Sequence, residues 1–414
     1  MSKIETVGDW ICCRVADCIV RVVSCVRKPR REQHGKRIVF VYANDLLGDT
    51  IVKIPFFIAL RKEFPPEAFK ISMVLSPSTA HIVKGLGCVD EIIEETPLHW
   101  NHSIFWVFTK GQGFLTKSLR WACRHKADIA IVCHRSRSLG CDFAMRLSSP
   151  STCVAYTVDA NDPMLPMSAK YQVKHYDRQY THMLPHRPGR HQIDEMAMLL
   201  SLAAGRNVVL SAPKKVDVLP CLDFTVADKL PSVFSVVVLG ARVKYRMWPL
   251  ERFVELAKHI EGPIVVVGSA DESLLADSFK KGCCFGENVV DLCGKTTLPQ
   301  LGGVLIRARM VITNETGTAN YAAIIGAHTV CILGGGDFGA FMPNKYCSNS
   351  ICVYKVRSCF NCGWKCCEKD FAEDRAAPCI MDITVGDVIE AIRARSSSEV
   401  LNLVDNRKSG VEDK

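Results

Sequence analysis

The sequence predicts an α/β protein of two doubly wound, Rossmann-like halves facing a cleft, and three observations predict it. At 414 residues the chain exceeds what one core holds comfortably and suits two domains of roughly 150 to 200 residues each. From Arg37 onward, short apolar runs alternate with helical stretches, the pattern of a parallel sheet covered on both faces. That pattern lapses after residue 205 and restarts at Phe234, so the alternation occurs twice.

Residues 1–35 form an extension of their own. Ile4, Val7, Trp10, Ile11, Val15, Ile19 and Val22 recur at near-helical spacing, followed by the basic cluster Arg27, Lys28, Arg30 and Arg31. Two readings compete: an amphipathic segment touching anionic lipid or a partner subunit, and a helix packed on its own domain. The first half, residues 36–205, opens with the strand Ile38 to Tyr42, a turn at Asn44 to Gly48, and an apolar helix from Thr50 to Phe64. Strands follow at Ile71 to Leu75, Ile129 to Cys133 and Cys153 to Val158. Residues 160 to 190, rich in Pro, Met, His and Tyr and without a period, read as a long loop of the kind that borders binding clefts. A helix at Gln192 to Ala204 closes this half.

A polar connector, residues 206–232, carries Pro213 and Pro220. The second half, residues 233–345, begins with the strand Phe234 to Leu239 and the helix Leu250 to Ile260. It continues through strands at Ile264 to Val267, Val289 to Asp291, Met310 to Thr313 and Val330 to Leu333, with helices at Glu272 to Lys280, Leu298 to Arg307 and Ala319 to Ile325 between them. A Cys-rich segment occupies 346–383, and a helix and tail occupy 384–414.

The composition, 48% hydrophobic and 23% charged, is that of a globular protein. No run reaches the ~18 apolar residues of a spanning helix. Charges interrupt every early apolar run, so no cleavable signal peptide is expected, and the 21 cysteines then read as mostly free thiols in a reducing cytoplasm. The formal charge of +9 favours an anionic partner: a sugar nucleotide, a phosphorylated glycolipid or a nucleic acid.

Ligands of such sheets bind at the carboxyl ends of the strands, and four loops there are informative. Gly48-Asp49-Thr50 follows the first strand, with Asp49 either a helix N-cap or a reactive carboxylate. Gly240 to Pro249 carries Arg242, Lys244 and Arg246 before a helix whose first turn holds a proline, an arrangement suited to a diphosphate. Glu315-Thr316-Gly317-Thr318 opens a helix with hydroxyls and a glycine, either capping it or cradling a phosphate. Gly334 to Gly339 matches the three-glycine dinucleotide spacing, but it follows a late strand and leads to Phe341 and Pro343 rather than to a long helix.

At these loops the chain resembles glycosyltransferase family 9, the ADP-heptose heptosyltransferases of GT-B fold. The resemblance rests on Gly48-Asp49 ahead of Pro55, Arg246 to Phe253, Val267 to Glu272, Leu292 to Leu298 and the 314–323 loop, in family order from Arg37 to Arg395. It implies an inverting transferase with Asp49 as general base toward a hydroxyl acceptor, either a lipopolysaccharide core glycolipid or a Ser/Thr of an autotransporter protein. Arg246 then stands where the family has a phosphate-contacting lysine and Glu272 near the donor ribose. Gly294, Lys295 and Thr296 lie toward the adenine, and Thr316 and Gly317 form the phosphate cradle. A cation and a helix N-terminus stabilise the leaving diphosphate without a catalytic divalent metal. Three departures stand out: Glu315 for the usual Asp, Asn320 for a His, and Arg246 for the Lys, of which the last conserves charge and adds a bidentate fork.

Cys359, Cys362, Cys366, Cys367 and Cys379 fall within 21 residues. A Cys-x-x-Cys turn with two further thiols suggests a structural zinc or iron held by Cys359, Cys362, Cys379 and Cys366 or its neighbour Cys367. Clusters of this kind occur in the autotransporter heptosyltransferase branch, where the metal is iron. Such a site would staple a loop to the donor domain and equally suits the interface of a homo-oligomer. Two rivals remain: a non-catalytic nucleotide-sugar or nucleic-acid binding module, and an NAD-dependent enzyme using Gly334 to Gly339. The transferase reading itself expects no nucleic acid and a cytoplasmic location, at the inner face of the membrane if the extension reaches lipid.

Overall fold

In a computed structural model the chain divides into two compact units, Met1–Cys221 and Leu222–Lys414. The structure describes residues 35–45, 47–96, 117–134, 137–157, 173–185, 187, 189–283, 286–368 and 371–396, with residues 14, 17, 18 and 20–23. Most of the 1–35 extension, residues 158–172 of the expected long loop, and the tail beyond residue 396 lie outside them.

The first unit runs β1 (Arg37–Tyr42), α1 (Leu47–Val52), α2 (Ile54–Glu63), β2 (Phe69–Leu75), α3 (Pro77–Gly85), β3 (Glu91–Glu94), α4 (Lys117–Arg124), β4 (Ile129–Val132), α5 (Leu139–Ser148), β5 (Thr152–Tyr156), β6 (His182–Leu184), α6 (Gln192–Ala204) and α7 (Lys215–Val218). Its six strands lie in the order β3-β2-β1-β4-β5-β6, every pair parallel. Central strands such as β1 are continuous apolar runs because helices cover both faces, and Val39, Phe40 and Val41 are accordingly inaccessible to solvent.

The second unit runs β7 (Ser235–Val238), α8 (Leu250–Ala257), β8 (Ile264–Val266), α9 (Ser273–Gly282), β9 (Val289–Asp291), α10 (Leu298–Arg307), β10 (Met310–Asn314), α11 (Gly317–Ile325), β11 (Thr329–Ile332), β12 (Ser350–Val353), α12 (Pro378–Met381) and α13 (Val385–Ser396). Its parallel sheet has the order β12-β11-β10-β7-β8-β9. Numbered from each unit's first strand, both sheets read 3-2-1-4-5-6, the dinucleotide-fold order. The direction of winding reverses between β1 and β4 in one unit and between β7 and β10 in the other, and crevices open at such switch points.

The sequence expectations hold for the central strands within a residue or two and for the edge strand β9, and miss the other three edges. β6, a helical turn at 173–176 and the 3₁₀ turn Asp177–Gln179 lie inside the stretch expected to be a loop. β3 and β12 were not anticipated either; β12 completes the second sheet from within the segment assigned to the cysteines. In the extension, Val20 rather than Val22 enters the core of the first unit beside Trp121 and Tyr176, and Val22 is 62% exposed. Asp17 accepts a hydrogen bond from the Tyr176 hydroxyl. The described part of the extension therefore packs on its own unit. Among the described residues, no helix is long and apolar enough to cross a membrane.

Candidate donor site

At the β7/β10 switch point the loops after the two strands are tied together by one side chain. Asn314, buried at the end of β10, accepts a hydrogen bond from the Trp248 amide at 2.9 Å and donates to the Leu239 carbonyl at 2.8 Å. Trp248 is itself buried, its indole N–H donating to the Ile383 carbonyl at 2.9 Å. The loop bearing the cations is thus held at both ends. Arg242 and Lys244 are exposed along it, and Arg246 is half-buried.

Arg246 is the most constrained of the three. Its Nη2 lies 3.1 Å from Asp337 Oδ2, and its guanidinium stands 4.4 Å from the ring centre of Trp364. Its Nε is buried without an acceptor among the described residues, and Glu315 Oε2 is buried there without a hydrogen-bond partner. Burial pushes the Glu315 carboxyl up to about 8; Arg246 opposes that rise and Asp337 adds to it. Beside it Thr316 caps α11, its hydroxyl accepting from the Ala319 amide at 3.4 Å. Gly317 opens the helix with Thr318 in its first turn, both half-buried. Arg246 thus lies within electrostatic reach of Glu315, the residue immediately before the Thr316 cap of α11.

Glu272 sits in a nest of glycines. A Cβ on Gly240 would lie 1.7 Å from Glu272 Oε1, and one on Gly268 would lie 2.2 Å from its Oε2. The carboxylate accepts from the Ser269 amide at 2.6 Å in a capping box, so it lies across the ends of β7 and β8. Gly294, with φ +68°, turns the chain against Ala270. Lys295 is turned back onto Asp291 at 2.7 Å, Thr296 is half-buried, and Thr297 caps α10.

The three-glycine run has a packing explanation. A Cβ on Gly335 would meet the Phe360 ring at 2.2 Å, and one on Gly336 the Trp364 ring at 2.2 Å. The amides of Asn361 and Gly363 donate to the carbonyls of Gly335 and Gly336. These glycines admit the Cys-rich segment rather than a pyrophosphate, and no long helix follows them, which removes the NAD-dependent reading.

The thiols are only partly gathered. The free thiols of Cys359 and Cys367 share a hydrogen bond, and Cys359 lies within electrostatic reach of Cys362, while Cys379 reaches Cys362 and accepts a hydrogen bond from the Gly335 amide at 3.4 Å. The partner of Cys359 is Cys367 rather than Cys366. Among the described residues, no three His, Cys, Asp or Glu side chains come together closely enough to hold a metal ion. As arranged, Cys359, Cys362, Cys366 and Cys379 do not fit a tetrathiolate centre, and no chemical step is assigned to a metal there.

In the first unit Gly48 and Asp49 lie in α1, the carboxylate in its first turn and half-buried. The sequence reading missed what underlies it. Lys53 and Asp45, 1% and 5% exposed, form an ion pair, and His134 Nε2 at the end of β4 lies 3.4 Å from Asp45. This network joins the ends of β1 and β4 at the switch point of the first sheet. An acidic residue and a lysine eight positions apart carry no sequence signal of their own.

Residues 167–369 match the family model described as glycosyltransferase family 9 (heptosyltransferase), and no curated protein matches the chain in sequence. Among solved structures, the chain is similar to a glycosyl transferase family 9 protein from Veillonella parvula DSM 2008, with a TM-score of 0.62 and 16% identity over 88% of this chain and 98% of the other. It is also similar to E. coli ADP-heptose lps heptosyltransferase II, with a TM-score of 0.59 and 15% identity over 87% and 98%. E. coli heptosyltransferase WaaC, solved with ADP, gives a TM-score of 0.57 and 14% identity over 87% and 98%. At these identities the structures establish the fold, which is the GT-B architecture that the motifs implied. Motifs, matched span and architecture agree that the chain is a glycosyltransferase similar to those of family 9, the heptosyltransferases.

Proposed function

We propose that the protein transfers a heptose from ADP-heptose to a hydroxyl acceptor with inversion at the anomeric carbon. The observation that carries this reading is the convergence of Arg246, the Thr316-capped N-terminus of α11 and the Glu272 nest at the β7/β10 switch point. In this reading, a bound donor rests its diphosphate against Arg246 and the first amides of α11, with the nucleoside toward Glu272 and Gly294. Asp49 takes the proton from the acceptor hydroxyl as its oxygen bonds to the anomeric carbon. The bond from that carbon to the diphosphate breaks on the opposite face, and ADP leaves with the bonding pair. Arg246 and the helix N-terminus stabilise the charge that develops on the diphosphate, so the reaction needs no divalent metal. Support comes from the matched family span and from the structure of WaaC solved with ADP.

Calorimetric titration tests the donor half. ADP should bind in the presence of EDTA, and Arg246→Ala should weaken it by about 10- to 100-fold, the loss of a charge-assisted contact. Preference for UDP or GDP would discard the heptose donor and retain the fold. Asp49→Asn should leave ADP affinity nearly unchanged and lower turnover of ADP-heptose by about 10²- to 10⁴-fold. Unchanged turnover would remove Asp49 from the chemistry. Offering both a lipopolysaccharide-core acceptor and an autotransporter segment separates the two acceptor classes. Binding without transfer to either would favour a non-catalytic module.

A further inference from the structure

We propose that Trp364 and Asp337, neither of them part of the donor-loop motif, are positioning residues that hold Arg246 in its diphosphate-binding attitude. The inference rests on the reading of Arg246 as the cation that meets the donor diphosphate. Three contacts close a triangle: the Trp364 indole N–H donates to Asp337 Oδ2 at 2.8 Å, the same oxygen lies 3.1 Å from Arg246 Nη2, and the guanidinium stacks 4.4 Å from the indole. An arginine without such a frame samples many rotamers and loses that freedom on binding an anion; one already stacked and bridged does not. Asp337 engages one edge of the guanidinium through Nη2. The charge of Asp337 is in turn shared with the indole N–H.

The rest of the Cys-rich segment is built around placing this indole. Trp364 adopts a left-handed φ of 62°, in the turn with Asn361 and Gly363. Its ring fills the space that Gly334 and Gly336 leave open. Tyr245, next to Arg246, lies 5.5 Å from the Trp364 ring, and its carbonyl accepts from the Ala377 amide at 2.9 Å. The segment thus grips the cation loop on either side of the residue it orients. The glycine run, the aromatic residues and the cysteines form one device whose output is the attitude of Arg246.

A double-mutant cycle on the full-length protein separates positioning from general stability. ADP is titrated into wild type, Trp364→Phe, Trp364→Leu, Arg246→Ala and the Arg246→Ala/Trp364→Leu pair, with thermal unfolding confirming that each is folded. Trp364→Phe retains the ring and loses the N–H donor, and should weaken ADP about fivefold; Trp364→Leu loses both and should weaken it about tenfold or more. In the Arg246→Ala background Trp364→Leu should cost nothing further. Equal losses in both backgrounds, or Trp364 variants that bind ADP like wild type, overturn the inference. Should Trp364→Leu fail to fold, Asp337→Asn with and without Arg246→Ala runs the same cycle. Wild type that ignores ADP overturns the donor reading and this inference with it. ADP binding that is indifferent to Arg246→Ala overturns the role of Arg246 and leaves the nucleotide site standing.

Discussion

Glu315 is the residue whose chemistry departs furthest from its sequence appearance. At the position where the family has an aspartate, it is buried, and burial raises its carboxyl from 4.5 to about 8. The folded protein therefore binds a proton there that the unfolded chain releases. The stability this contributes is fully present below about pH 4.5 and is lost as the pH rises through about 8. Glu315→Gln cannot ionise, so its melting temperature relative to wild type should climb between pH 5 and pH 8 and level off above. A difference that stays constant across that range would mean Glu315 is ionised in the native protein. Lys53 offers a complementary test in the first unit. Replacing it with Met removes the cation from the buried carboxylate of Asp45 and leaves it with His134 alone among the described residues, which should cost about 3–5 kcal/mol in denaturant unfolding. A loss below about 1 kcal/mol would place the pair in the range of surface salt bridges.

At the scale of elements, the glycines after β11 make a sharp prediction. Gly336→Ala introduces a Cβ 2.2 Å from the Trp364 ring, and the overpacking should cost about 1–3 kcal/mol. Because the displaced ring is the one stacked on Arg246, ADP affinity should fall as well. A variant that loses stability and keeps wild-type affinity would uncouple the segment from the donor loop. What the sequence reveals of these elements follows their burial. The apolar stretches Ile38–Val41 of β1, Val236–Val238 of β7 and Met310–Ile312 of β10 are unbroken because both faces are covered, and such runs are visible in one dimension. β3, with a glutamate at each end, and β6, opened by an exposed histidine, lie at or beside a sheet edge, where polar residues face solvent and no period survives. The site divides in the same way. Arg246, Glu315 and Thr316 are legible because they stand in loops directly after strands. The partnership of Arg246 with Asp337 and Trp364 spans 91 and 118 residues, and only the fold brings those positions together. The glycine spacing pointed to a dinucleotide because short motifs do not record which neighbour fills the space a missing side chain leaves.

Across the whole molecule, each unit owns a core of its own, and the second is completed by the last described helix. Ile380, Ile383, Val388 and Ala391 belong to the cluster that contains Trp248 and Phe253, and the Trp248 indole reaches the Ile383 carbonyl, 135 positions along the chain. This closing contact sets a schedule during synthesis. The strands of the first unit are all available once residue 221 has emerged, whereas the second must wait for residue 391 and its neighbours. At about 5–20 residues per second, the wait lasts on the order of ten to thirty seconds. During its later part the apolar strands around β7 stand translated without their closing helix, so nascent chains of the second unit are natural clients for a holding chaperone.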